Sequence, residues 1–214
     1  TIVVDSLVYG HKEALDFRHL DSQISISEFF KKANILAKSA NLANPKANTT
    51  FIKADLSDRF ALKEIFAKYD ISCVLHFAAF AYVGESVINP AKYYANNVAN
   101  SLNLLESMRE VGIKRLIWVG SYGVYDGEIP ESEMDRIRAY NPPHREAVKI
   151  IESSGLDYTI IRAQWFSNAD EIDYELTRKG EKFKNPSAYI SRKSIAHLII
   201  RLALEPNFGI KESF

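Results

Sequence analysis

The chain opens with "TIVVD", a β-branched run that closes on Asp5. A carboxylate at the end of a buried strand can accept hydrogen bonds from both hydroxyls of an adenosine ribose. A dinucleotide-binding fold uses the acid that ends its second strand in this way, about 20 residues after a glycine-rich pyrophosphate turn. Nothing of that length precedes Asp5, so the strand presents half of such a site. Among the nine glycines one other run is a candidate, "VGSYGVYDG" at 119–127. It follows a strand, but the "EIPESEMDR" after it is acidic and carries no apolar helical stripe. An anion held there would meet Glu128, Glu131 and Glu133 instead of a helix N-terminus, so the run reads as a turn beside a site. The five histidines show no metal-ligand spacing beside cysteines or carboxylates, and no metal is inferred.

Composition narrows the classes further. Lys plus Arg and Asp plus Glu balance at 27 each, so no global field draws the chain to nucleic acid or to an anionic membrane. The longest apolar stretch, "CVLHFAAFAYVG" at 73–84, is too short to span a bilayer and contains His76. No charged region followed by an apolar stretch marks a secretory signal at the start. Cys73 is the single cysteine, which excludes an internal disulfide framework and fits a cytosolic, cytoplasmic protein.

Strand-like runs and helical patterns alternate along most of the chain. The runs are "TIVVD", "TFIKAD" (50–55), "SCVLHFAA" (72–79), "RLIWVGS" (115–121) and "DYTIIRA" (157–163), each short and apolar almost throughout. Strands covered by helices on both faces have that pattern. Between them "RFALKEIFAKY" (59–69) places Phe60, Ile65, Phe66 and Tyr69 on one side. Asn89-Pro90 forms an N-cap and first-turn pair that opens a long helix, with Val98, Leu102, Leu105 and Met108 inward and Gly112 as its stop. "HREAVKIIESSG" (144–155) and "SRKSIAHLIIRLALE" (191–205) are further helices, the second capped by Ser191. This order predicts a parallel α/β sheet with helices on both faces. Residues 16–49 fall outside the rhythm. There Ser25 and Glu28 form a capping box, which predicts an inserted helix followed by a polar loop. The whole of 1–214 is read as one domain.

The blocks "IVVDSLVYGHKEAL", "FIKADLSDRFALKEIF" and "VLHFAAFAYVGESVINPAKYYANNVANSLNLLESM" cover residues 2 to about 108. They resemble the nucleotide-sugar epimerases of the extended short-chain dehydrogenase/reductase superfamily, UDP-glucose 4-epimerase above all. The resemblance implies a Rossmann-type fold that lacks here its usual first strand and glycine loop. It implies that Asp5 holds the adenosine ribose, that Asp55 and Leu56 flank the adenine, and that Phe77, Ala78 and Ala79 line the pyrophosphate side. The helix asparagine of the family corresponds to Asn96. NAD is the implied cofactor, in preference to NADP because the Asp5 carboxylate repels a 2′-phosphate, and a nucleotide sugar is an implied partner. From "KRLIWVGSYGVYDGEIPE" onward, and through "REAVKIIESSGLDYTIIRAQWF" to "SRKSIAHLI", the chain resembles small NmrA-like NAD(P)-binding proteins of the same superfamily. The two likenesses meet between Leu104 and Lys114, the pattern of a composite chain, natural or engineered.

The resemblance also implies a Tyr-x-x-x-Lys pair on the helix after the fifth strand. There the ammonium lowers the phenol pKa, and the phenolate takes a substrate hydroxyl proton while hydride goes to the nicotinamide. A Ser at the end of that strand shares the proton, and Ser121 stands in its place. The tyrosine position falls at Pro143 and the lysine position at Ala147, neither of which can transfer a proton. "YISRK" (189–193) is the only literal match, but it lies too far past Ser121. Tyr140 and His144 could make a substitute couple, were it not that Pro142 and Pro143 set them off a common helical face. The expectation is an NAD(P)-binding protein impaired in catalysis, with Ser121 to orient a hydroxyl and "RAQWF" (162–166) beside the nicotinamide. Two rival readings are a non-catalytic nucleotide-sensing or partner-binding module and a ligand-free structural fragment. A strand apolar on both faces also predicts that "TIVVD" either pairs directly with "CVLHFAA" or self-associates as a homo-oligomer.

Overall fold

The structure, a computed structural model of the chain, describes residues 1–8, 49–80 and 82–214. The expected insertion with its Ser25–Glu28 capping box lies outside the described residues. The rest divides into two compact units, Thr1–Asp58 and Arg59–Phe214.

The first unit is a parallel pair. Strand β1 (Ile2–Asp5) runs beside β2 (Thr50–Lys53) with Val3 opposite Phe51 and Asp5 opposite Lys53. The expected ladder from Val3 and Val4 to residues 73–77 is not among the described pairings: β1 pairs with β2.

The second unit is a four-stranded parallel sheet in the order β3–β4–β5–β8, formed by Cys73–His76, Arg115–Ser121, Asp157–Ala163 and Glu212–Ser213. Ladder-bonded residues alternate between its faces. Ile117 and Ile161 pack against Leu198, Ile199 and Leu202 of helix α7 (Arg192–Leu204) and against Phe214. Leu116, Trp118 and Ile160 point to the opposite face, where Trp118 meets His144 of helix α6 (Asn141–Ser153). Helices therefore cover both faces, as the apolar strands require. A separate parallel pair, β6 (Trp165–Ser167) with β7 (Tyr189–Ser191), follows the end of β5.

The caps read from the sequence are in place. Asn89 accepts from the Lys92 amide at 3.3 Å, Ser191 accepts from the Ser194 amide at 2.9 Å, and Gly112 ends its helix at φ 80°. Three readings change. In helix α1 (Arg59–Lys68) the inward residues are Leu62 and Ile65, whereas Phe60 is 73 % exposed. Ion pairs from Arg59 to Glu106 at 2.7 Å and to Glu110 at 2.8 Å fix that rotation against helix α4 (Asn100–Val111). The expected long helix from Pro90 is broken into α3 (Pro90–Tyr94), a π turn (Ala95–Ala99) and α4. Beyond that turn Ser101, Leu104, Leu105 and Met108 form the buried stripe at ordinary helical spacing, so Leu105 and Met108 are inward as expected while Leu102 is exposed. Finally, "ESEMDRI" is a helix, α5 (Glu131–Ile137), in spite of its acids. Helix α2 (Val83–Ile88) completes the set.

The deepest polar feature of this unit is an ion pair between Arg162 on β5 and Glu128, with side chains 0 % and 1 % exposed. Arg162 also donates to the Thr177 carbonyl and, at 3.3 Å, to that of Ser213. Its guanidinium lies 5.1 Å from the Phe183 ring centre and 5.5 Å from that of Tyr125. Removing one partner leaves a buried charge uncompensated, at a cost of about 3–5 kcal/mol. Glu128→Ala should therefore lower the unfolding free energy by about that amount in urea titration. A loss below about 1 kcal/mol would show that the pair is not a structural keystone.

Candidate active site

The carboxyl ends of β3, β4 and β5 open into one cavity of about 650 Å³. Ligands of parallel α/β sheets bind at that edge, and the volume lies in the usual range for a small-molecule site. Its walls come from the segment after β3 (Phe77, Ala79, Phe80), the end of β4 (Gly120, Ser121, Tyr122), the turn after β5 (Ala163–Phe166) and one face of α7.

Each wall is locked by a specific contact. Gly120 has no alternative residue, because a Cβ there would lie 2.2 Å from the Trp118 ring folded across it. The segment after β3 is pinned by Asn97 in the π turn, which accepts from the Phe80 amide at 2.8 Å and donates to its carbonyl at 3.0 Å. Asn96 donates to Asn97 at 2.9 Å, so it supports the asparagine that lines the cavity. The following turn of helix is tied back by Ser101, which donates to the Asn97 carbonyl at 2.9 Å. With that proton committed, His76 Nε2 donates to Ser101 Oγ at 2.9 Å. On the far wall Trp165 Nε1 donates to the Tyr122 hydroxyl at 3.0 Å, and Tyr122 donates to Glu133 at 3.1 Å. Ser187 and Arg136 complete the shell of Glu133, at 2.7 and 3.0 Å. Ser187 foremost, then Arg136 and Tyr122, hold that carboxyl below its ordinary range.

Tyr140 and His144 belong to this cavity together, which corrects the reading that the prolines separate them. Pro142 and Pro143 occupy the first turn of α6, where no helical hydrogen bond is lost. Tyr140 is the N-cap, and its ring meets His144 edge-on at 6.3 Å. Burial foremost, helped by the nearby Tyr122, pushes the Tyr140 phenol up to about 12, with Ser121 and the Arg136 charge acting the other way. His144, enclosed by Trp118 and Tyr140, is pushed down to about 4 by burial. The site thus pairs a protonated phenol with a neutral imidazole. It can donate a hydrogen bond to a ligand oxygen but is poorly suited to accept a proton at neutral pH.

Of the other expected residues, Phe77, Ala79 and Ser121 line the cavity, and Ala78 lies between two that do. Asp5, Asp55 and Leu56 belong to the first unit. There Asp5 accepts from the Leu7 amide at 2.6 Å, and Asp55 accepts from the Ser57 amide at 2.8 Å. The Ser57 amide, then the side chains of Ser57 and Ser6, hold Asp55 below the ordinary carboxylate range. Both acids stand at or just past the carboxyl ends of the β1–β2 pair. Two of the three glycines in the run at 119–127, Gly120 and Gly123, are covered by side chains, whereas Gly127 is open. Besides Trp118 over Gly120, the Ile137 side chain would lie 2.3 Å from a Cβ at Gly123. The residues present fit the nicotinamide end of a dinucleotide in the cavity, and the glycine run does not fit its pyrophosphate. Among the described residues there is no cluster of metal-ligating side chains and no helix long and apolar enough to cross a membrane.

A parallel α/β sheet with a cavity at its carboxyl edge, and acids at the ends of parallel strands, defines a Rossmann-type nucleotide-binding protein. Residues 31–206 match the NAD(P)H-binding family model, and the chain belongs to that family, with a nicotinamide dinucleotide as its cofactor. It is similar to a Rossmann-fold NAD(P)-binding family protein from Shigella flexneri, at 30 % identity and TM-score 0.57, over 78 % of this chain and 69 % of that one. It is also similar to the UDP-glucose 4-epimerase of Brucella ovis, solved in complex with NAD, at 26 % identity and TM-score 0.60, over 95 % of this chain and 65 % of that one. The UDP-glucose 4-epimerase of Yersinia enterocolitica is 37 % identical over 131 residues, which are 60 % of this chain and 38 % of that protein. A probable UDP-arabinose 4-epimerase of Oryza sativa subsp. japonica is 42 % identical over 112 residues, 27 % of its length. The chain thus spans about a third of the curated epimerases it matches. The resemblance to the extended short-chain dehydrogenase/reductase superfamily holds.

Two histidines, His76 buried and His144 half-buried among aromatic rings, give the second prediction. His76 and His144 are both pushed down to about 4 by burial, below their unfolded value near 6.5. As pH falls from 6.5 towards 4 the unfolded chain binds these protons and the native state does not, so stability falls with pH. Each histidine contributes a slope of up to about 1.4 kcal/mol per pH unit in that window. Urea titrations at pH 7, 6 and 5 should show the decline, and His144→Phe should flatten it by one proton's share.

Proposed function

We propose that this chain binds NAD in preference to NADP, with the cavity receiving the nicotinamide end and a small organic substrate, and that it is impaired as a sugar epimerase. The observation that carries the reading is the cavity at the carboxyl ends of β3–β5 with the Ser121–Tyr140 pair inside it. Membership of the NAD(P)H-binding family, matched over residues 31–206, supports the cofactor. The preference for NAD rests on Asp5, whose charge repels a 2′-phosphate and suits a ribose diol. Asp55 and Leu56 take the adenine end; Phe77, Ala78 and Ala79 take the pyrophosphate side. Asn96 acts through Asn97. A single cysteine and the dinucleotide requirement fit the cytosol.

Bound, the dinucleotide would supply hydride chemistry, and the chain's own residues orient, exclude water and manage the proton. Ser121 and Tyr140 would hold a substrate oxygen. The residue four past Tyr140 is His144, not the lysine of a Tyr-x-x-x-Lys couple, and Pro143 and Ala147 stand at the family's tyrosine and lysine positions. Epimerisation begins by taking a proton from a sugar hydroxyl, and a phenol near 12 is a poor base for it.

Loss of one positioned acid–base group typically costs 10²–10⁴-fold in rate. UDP-galactose turnover should therefore lie at least about a hundredfold below that of a Tyr-Lys epimerase. Turnover within that margin would defeat the impairment. In calorimetry NAD should bind, but with a Kd weaker than about 10 μM, since Gly120 and Gly123 are covered by Trp118 and Ile137 and withheld from pyrophosphate amide bonds, worth roughly 1.5–3 kcal/mol each. Asp5→Ala should erase the preference for NAD over NADP. No detectable NAD binding would leave the structural-fragment reading in possession.

A further inference from the structure

We infer that the cavity takes a flat, uncharged aromatic carbonyl compound, with its oxygen hydrogen-bonded by the Tyr140 hydroxyl and its ring held between Phe80 and Trp165. The inference rests on the reading of this cavity as the substrate end of the site and names its substrate class.

Three observations carry it. First, the walls are aromatic: Phe77, Phe80, Tyr140, Trp165 and Phe166 all border the space. Offset and edge contacts with such rings favour a planar aromatic guest over a polyhydroxy ring, whose hydroxyls each need a partner on desolvation. Second, Arg192 is the one charged side chain among the described lining residues, and it is already engaged. It donates to the Ser167 carbonyl at 3.3 Å and to the Asn168 side chain, and it lies over the Phe166 ring at 5.7 Å. A nucleotide diphosphate brought inside would have no uncommitted cation in this lining, and burying its charges unpaired is costly. Third, hydroxyl groups line this same space. Ser121, at the end of β4, and Tyr140, at the cap of α6, both border the cavity, and His144 meets the Tyr140 ring edge-on. Hydroxyls presented in a chamber walled mainly by aromatic and aliphatic side chains match one carbonyl on a planar frame.

The test needs no dinucleotide. Both tryptophans report on the space, Trp165 as a wall and Trp118 packed beneath Gly120 and beside His144. Titration of 2-acetylnaphthalene should quench their emission saturably, and infrared difference spectra should show the ketone C=O stretch moved to lower frequency. Tyr140→Phe should keep the quenching, weaken binding about threefold to tenfold, and return the stretch towards its value in hydrocarbon. Trp165→Phe should remove most of the quenching while keeping the stretch shifted. UDP-glucose at millimolar concentration should not displace the ketone. The inference is overturned by linear, unsaturable quenching, by the same stretch in wild type and Tyr140→Phe, or by displacement with UDP-glucose. Calorimetry with NAD reads the other half independently: NAD binding without ketone capture overturns this substrate class alone, and ketone capture without NAD binding overturns the dinucleotide reading alone.

Discussion

The second unit depends on one buried ion pair. Glu128 and Arg162 are both removed from water, which is expensive for charges and is offset only when geometry and partners are good. Arg162 has them: the carboxylate, two backbone carbonyls and two aromatic faces. Four stretches of chain meet at this guanidinium, namely the loop after β4, strand β5, the segment at Thr177 and the C-terminal strand. Two of those stretches are cavity walls. Arg162 is followed directly by Ala163 to Phe166, and Glu128 ends the turn that begins at Tyr122. The pair is therefore the fixed point from which both the Ser121 side and the Trp165 side of the site are measured. Glu128 Oε1 and Arg162 Nε lack a hydrogen-bond partner among the described residues, so the pair is held at some cost to stability. What it secures is a single arrangement of loops that have little regular structure of their own.

The opposite wall is secured by a helix defect. The π turn at Ala95–Ala99 widens the backbone at the place where Asn97 must pair both polar groups of Phe80. A strand end followed by small residues has no ladder to hold it beyond His76, and Asn97 replaces that ladder with two side-chain bonds. The His76–Ser101–Asn97 chain then fastens the turn to the sheet.

The strands were legible because fully buried parallel strands are almost unbroken apolar runs, and "RLIWVGS" and "DYTIIRA" coincide with Arg115–Ser121 and Asp157–Ala163. Caps were legible because Asn89, Ser191 and Gly112 act through local geometry. What was not legible depended on partners distant in sequence. Glu133 reads as a solvated acid until Ser187, 54 residues on, and Tyr122 are placed around it. Phe60 reads as core until Arg59 is tied to Glu106 and turns the helix. The π turn leaves no trace in an apolar periodicity that is already sparse. The likeness to epimerases placed Ser121, Phe77 and Ala79 in the chain, and the structure puts those three around one cavity. The prolines at 142 and 143 were read as breakers, whereas the first turn of a helix is where proline is tolerated.

That last misreading conceals the chemical character of the site. A tyrosine with a lysine one helical turn away is drawn towards phenolate, because the ammonium stabilises the anion. With a histidine there, the outcome depends on whether the imidazole is charged. His144 sits among Trp118 and Tyr140 and is already neutral above about pH 4, so at neutral pH it offers Tyr140 no positive field. Burial then dominates the phenol, outweighing Ser121 and the Arg136 charge, and the hydroxyl stays protonated. A site built this way favours giving a hydrogen bond over taking a proton. The direction of its chemistry is set less by Tyr140 itself than by the neutrality of its neighbour.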